Sequence, residues 1–134
     1  KYALALLDPT SRDDFAALSV QGLVPSEFAS RPAAWNDPDT KKYIVLMTDG
    51  RIRYQDRPTN ANSLWNLMRP LTQLSGNSSY TQRSESGAAS DFQKLCTLAK
   101  ASSRNVEIYT IAFEADPTAQ TQMAQCASSP SHFF

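Results

Sequence analysis

Ten residues, KKYIVLMTDG from Lys41 to Gly50, constrain this chain more than any others. Two lysines lead into five consecutive apolar residues, and a Thr-Asp-Gly turn closes the run. A short apolar stretch bounded by polar and turn residues predicts a strand buried on both faces, as in a parallel sheet. A second such run, Val106 to Phe113 (VEIYTIAF), is rich in β-branched and aromatic residues. A third, shorter one is Ser131 to Phe134.

Helical patterns fall between these strands. Ser90 with Gln93 three residues on forms a capping box, after which Phe92, Leu95, Cys96 and Ala99 line one helical face. Asn105 stands where a helix end takes a left-handed residue. Asp116 and Pro117 suit the N-cap and first position of a further helix, with Ala119, Met123, Cys126 and Ala127 on its inner face and Pro130 ending it. Strand, helix, strand, helix, strand implies right-handed crossovers and a mainly parallel sheet.

The remaining segments are less regular. Tyr2 to Leu7 is apolar, and Ser11 to Val20 reads as a short helix. Ser19 to Thr40, with Pro25, Pro32 and Pro38, reads as irregular connection. Asn62 to Leu74 has a helical face interrupted by Pro70, and Gly76 to Gly87 reads as a polar loop.

The chain's 134 residues fit one domain, 1–134. Its 13 basic and 13 acidic residues balance, which leaves no electrostatic footprint for nucleic acid. No apolar run approaches the roughly 20 residues that span a bilayer. The chain opens on Lys1 without a signal-peptide pattern, so the expectation is a portion of a longer protein, any membrane anchor lying outside it.

Ligands of open parallel sheets bind beyond the carboxyl ends of strands, which makes Asp49 the leading site candidate. A carboxylate there can hold a hard cation directly or through water, and Gly50 permits a tight turn. Catalytic signatures are missing: no G-x-S-x-G, Walker A or G-x-G-x-x-G motif occurs, and His132 is the single histidine. Cys96 and Cys126 fit no zinc motif. On consecutive crossover helices they could be bridged or stand as buried thiols.

I-V-L-M-T-D-G resembles the fourth strand of a von Willebrand factor A (VWA) domain, whose Asp belongs to a metal-ion-dependent adhesion site. Leu95-Cys96-x-x-Ala99-Lys100, Ile108 to Phe113, and Cys126-Ala-Ser-Ser-Pro-Ser-His-Phe-Phe134 are similar to the closing stretch of VWA domains in TadG-like tight-adherence (Flp) pilus-assembly proteins. Trp35-Asn-Asp-Pro-Asp39 precedes the strand much as in that family. The resemblance implies a three-layer α/β fold with helices on both faces of a mainly parallel, Rossmann-like sheet. Residues 41–134 would form the family-like core and 1–40 an atypical N-terminal segment, the chain being the C-terminal two-thirds of a VWA domain that lacks its N-terminal strands.

Function and site follow from the same resemblance. It implies a non-enzymatic adhesion module in the bacterial periplasm or cell envelope, with protein partners from the pilus or envelope. It also implies a Cys96–Cys126 disulfide and Mg²⁺ or Mn²⁺ at Asp49. The family's Asp-x-Ser-x-Ser motif is matched most nearly by Asp8-Pro9-Thr10-Ser11-Arg12, which offers Asp8 and Thr10 as further ligands and places Arg12 where the last hydroxyl belongs. Thr48, Gly50, Arg51 and Arg53 would form the partner-facing loop. Without its N-terminal neighbour, strand 43–48 would present an edge to be filled by Tyr2 to Leu7, by a missing VWA segment or by a second chain. Two other classes compete: a receiver-like signalling domain with Asp49 as phosphoacceptor, and a small doubly wound hydrolase. The first needs an acidic pair beside Asp49, and the second a nucleophile and base.

Overall fold

The computed structural model describes residues 2–60, 68 and 79–134. Its centre is a parallel pair, β1 (Lys42–Thr48) with β4 (Val106–Ala112), in register from Lys42 opposite Val106 to Thr48 opposite Ala112. Between them in sequence lie β2 (Gln55–Pro58) and β3 (Ser79–Arg83), an antiparallel pair. The helices are α1 (Tyr2–Leu6), α2 (Arg12–Val20), α3 (Glu85–Lys100) and α4 (Pro117–Cys126). The fold is therefore mixed α/β with a parallel two-stranded core.

That core sits on one face of β1 and β4. Ile44 and Ile108 pack with Cys96 and Ala99 of α3, Cys126 of α4 and Val106, and Leu4, Leu7, Trp35, Leu46 and Phe92 close around them. The opposite face is bare among the described residues: Tyr43, Val45 and Met47 are 49, 65 and 66% exposed. Burial therefore alternates along β1, where the apolar run predicted cover on both faces. α3 and α4 pack against β4, with Cys96 and Cys126 in that core.

α4 begins as the sequence predicts. The Asp116 carboxylate accepts from the backbone N–H groups of Thr118 and Ala119, and Pro117 opens the helix. Asn105 has a φ of 50°, in the left-handed region. The start of α3 differs: Ser84, not Ser90, is the N-cap, its hydroxyl accepting from Gly87 N–H. The polar stretch read as a loop thus contains β3 and the first turn of α3. Tyr2–Leu6, an apolar run that could have served as a neighbouring strand, is helical, in keeping with its Ala and Leu content. The helical pattern at Asn62 to Leu74 lies almost wholly outside the described residues.

The tail returns beside β4. Ile108 N–H donates to the Ser128 hydroxyl, and Ser128 N–H donates back to the Ile108 carbonyl. Phe134 exchanges backbone hydrogen bonds with Thr110 and Ala112. Of the strand expected at Ser131–Phe134, a single parallel bridge forms, Thr110 with Phe133, because Pro130–His132 is a 3₁₀ turn.

Candidate functional site

Asp49 follows the last residue of β1 and is exposed, at the carboxyl end of the strand, the position the topology reserves for ligands. The turn around it is held by Thr48, whose Oγ1 donates to the Gly50 carbonyl at 2.8 Å and accepts from Gly50 N–H at 3.2 Å. Gly50 does not have a positive φ, and a Cβ there would meet open space. The turn thus uses the Thr48 hydroxyl, not the conformational freedom of glycine expected from Thr-Asp-Gly.

The loop beyond is tied to the start of α3. Glu85 in its first turn meets Arg51 at 3.5 Å and Arg53 at 3.7 Å, one carboxylate oxygen to each. A carboxylate also suits the positive end of a helix dipole. Beneath this end of the sheet, Leu46, Met47, Thr48, Ile52, Phe92 and Met123 line an apolar depression of about 180 Å³.

Asp8 and Thr10 lie at the other end of the strand. Leu7, next to Asp8, accepts from Lys42, the first residue of β1. From Lys42 to Asp49 the strand rises about 23 Å. Asp8 instead caps a 3₁₀ turn, accepting from Thr10 N–H at 3.0 Å and Thr10 Oγ1 at 2.9 Å. These bonds, the backbone one foremost, hold its carboxyl below the usual carboxylate range. Arg12 donates through both Nε and Nη2 to the Pro32 carbonyl, so this guanidinium anchors the N-terminal segment.

The structure therefore does not bring Asp8, Thr10 and Asp49 together. Among the described residues no three His, Cys, Asp or Glu side chains could hold one metal ion. Magnesium demands six ligands near octahedral geometry, and one carboxylate beside an already bonded hydroxyl does not supply a site. The donor set at Asp49 does not fit a resident Mg²⁺ or Mn²⁺ unaided. The same separation keeps Asp8, and Asp13 and Asp14 on the adjoining α2, from acting as the acidic pair of a receiver site.

Sequence reasoning missed a buried cation. Lys42 is buried, its ammonium donating to the Leu7 and Ala33 carbonyls at 2.7 Å each and sitting 3.8 Å from the Trp35 ring centroid. Burial pushes its pKa down, with Asp8 opposing. A lysine at a strand start is ordinarily solvated, so nothing in the local pattern distinguished it from Lys41.

The two cysteine-bearing motifs do meet. The Cys96 and Cys126 sulfurs are 2.07 Å apart, at disulfide distance. On either side of them, Gln93 Nε2 donates to the Gln122 carbonyl, and Lys100 Nζ to the carbonyls of Gln125 and Ala127. Gln93, Cys96 and Lys100 lie along one face of α3, so three links join the helices side by side. Ala99 and Ala127, both buried, permit the close approach.

These features define a mixed α/β domain with helices joined over a parallel strand pair and an acidic turn at its carboxyl end. No family model matches the chain, and neither a curated protein nor a solved structure matches it.

Proposed function

We propose that this chain is a non-enzymatic protein-binding module of the VWA type, working in a bacterial pilus-assembly or cell-envelope protein. The observation that carries the reading is the junction of the two motifs on which the TadG-like resemblance rests: Leu95-Cys96-x-x-Ala99-Lys100 and Cys126-Ala-Ser-Ser-Pro lock together beneath β1 and β4. A disulfide at that junction suits the oxidising side of the inner membrane, hence a periplasmic or extracellular position. No described helix is long and apolar enough to cross a membrane.

In this reading the complete domain has three layers. The neighbour of β1 comes from a VWA segment outside the 134 residues, or from another chain. The Asp49 turn, with Thr48, Gly50, Arg51 and Arg53, is the partner-facing surface. Glu85 holds both arginines, which limits the conformational entropy lost on binding. Because the donor set does not fit an ion, recognition is assigned to the carboxylate and guanidinium groups themselves.

A photo-crosslinking residue at Arg53, introduced in cells that produce the protein, tests the proposal. The expected result is adducts with pilus or envelope proteins, absent when the probe replaces Lys94, and oxidised Cys96 and Cys126 in the same cells. Adducts with cytosolic proteins alone, or reduced thiols, would overturn it.

A further inference from the structure

Among the described residues β1 is an edge strand, and the ladder shows which of its groups have no partner there. Ile108, Thr110 and Ala112 of β4 direct their backbone groups to the tail, while Phe113 N–H donates to the Thr48 carbonyl. Backbone groups alternate sides along a strand. The even-numbered residues of β1 therefore face β4, and the N–H and C=O groups of Tyr43, Val45 and Met47 point to the free edge. Their side chains are also the exposed ones. The usual protections of an edge, a charge, proline or bulge, are missing from these three residues.

The sequence of this edge is self-complementary about Val45. An antiparallel copy centred there pairs Val45 with Val45, Tyr43 with Met47, and Lys41 with Asp49. All are positions whose backbone groups point outward, so each pair can exchange hydrogen bonds. Three apolar cross-strand pairs are flanked at both ends by an ion pair of opposite charges. Lys41 lies on the exposed face, where it meets Glu107 at 3.7 Å. Asp49 makes no ion pair with any described residue, while Arg51 and Arg53 are engaged by Glu85 and do not compete for it. Centring the pairing on Met47 instead would set Lys41 against Arg53, so charge selects the Val45 register.

We infer that the free edge of β1 is a self-association surface, through which two copies of this chain pair antiparallel about Val45 to continue the sheet as β4–β1–β1–β4. Such a contact is isologous and closes as a two-fold dimer. It takes the second of the two neighbours that the proposed function allows for β1, another chain, and names that chain as a second copy; a crosslinking failure at Arg53 leaves it standing, and the converse holds.

Sedimentation velocity in EDTA from about 1 µM to about 1 mM spans the range in which weak dimers populate. The expected result is a concentration-dependent shift from one chain to two. Lys41→Glu and Asp49→Lys each place like charges at both ends of the seam and weaken the dimer roughly tenfold or more. The charge-swapped double variant Lys41→Glu/Asp49→Lys restores it. Val45→Lys, at an exposed position, abolishes it without changing the circular dichroism. A chain monomeric throughout, or a dimer indifferent to these substitutions, overturns the inference.

Discussion

The Lys42 ammonium sits 3.8 Å from the centroid of the Trp35 ring while donating to two main-chain carbonyls, those of Leu7 and Ala33. One side chain thus fastens two separate stretches of the N-terminal segment to the first residue of β1. Residues 2–40 are consequently part of the packed structure, although most of their backbone is short helix and turn. Arg104 extends the arrangement, its guanidinium lying 5.6 Å from the same ring.

Replacing Lys42 by Met tests that fastening. Met fills similar volume but leaves two carbonyls without their donor, and unsatisfied buried acceptors cost about 1–3 kcal/mol each. Relief from burying a charge offsets part of this. The expected net loss is about 2 kcal/mol, measured by urea unfolding. Trp35→Leu removes the ring that Lys42 and Arg104 share, along with part of its packing on the core, and should cost about 1–3 kcal/mol. Full stability in both variants would mean that the N-terminal segment is held by apolar packing without Lys42.

The pH dependence of the Asp8 cap has a definite sign. Its folded-state pKa lies below 3.8, because the ionised carboxyl accepts from Thr10 N–H and Thr10 Oγ1. A depressed carboxylate stabilises the fold above its unfolded pKa, and that contribution disappears as pH falls through the folded value. Asp8→Asn should therefore be less stable than the parent at neutral pH, the gap narrowing below about pH 3.8. Thermal unfolding of both proteins from neutral to acid pH reads the gap directly. A gap that stays constant on acidification would mean the carboxylate charge contributes nothing.

The Cys96–Cys126 link spans 30 positions in sequence. In the chain-entropy picture, closing such a loop stabilises by about 3–4 kcal/mol. The Cys96→Ala/Cys126→Ala variant should lose most of that in urea unfolding and keep its secondary structure, since Gln93 and Lys100 still join α3 to α4. A variant that fails to fold at all would show that these hydrogen bonds cannot hold the helices together by themselves.

Signals carried by a few adjacent residues were legible in the sequence, and those carried across the fold were not. β1, β4 and α4 follow from local apolar runs and the Asp116-Pro117 start, and Asn105 takes the left-handed conformation its position called for. The β2–β3 pair escaped because QDRP and SYTQR contain no apolar alternation. α3 is capped by Ser84, not Ser90, because two serines offer an N-cap and the first turn, Glu85 to Ala88, is itself compatible with helix. The candidate site divides in the same way. Asp49 was located by its strand end, but the distance separating it from Asp8 depends on α1 being a helix packed at the amino end of β1, which the apolar run Tyr2–Leu7 did not reveal.

That separation makes cation binding at Asp49 a sharp test. With Thr48 Oγ1 bonded to Gly50 and Asp8 at the far end of the strand, a cation at Asp49 would meet one carboxylate and otherwise water. Hard cations held with useful affinity take several protein oxygens, and magnesium leaves its hydration shell reluctantly. Calorimetric titration with Mg²⁺ and Mn²⁺ should therefore show no saturable binding, and the parent and Asp49→Ala should give the same trace. Saturable heat lost in Asp49→Ala but retained in Asp8→Asn would show that the turn gathers further oxygens in solution, making partner recognition ion-assisted. Heat lost in both variants would bring the two carboxylates to one ion, a placement incompatible with the parallel register of β1 and the position of Leu7 against Lys42.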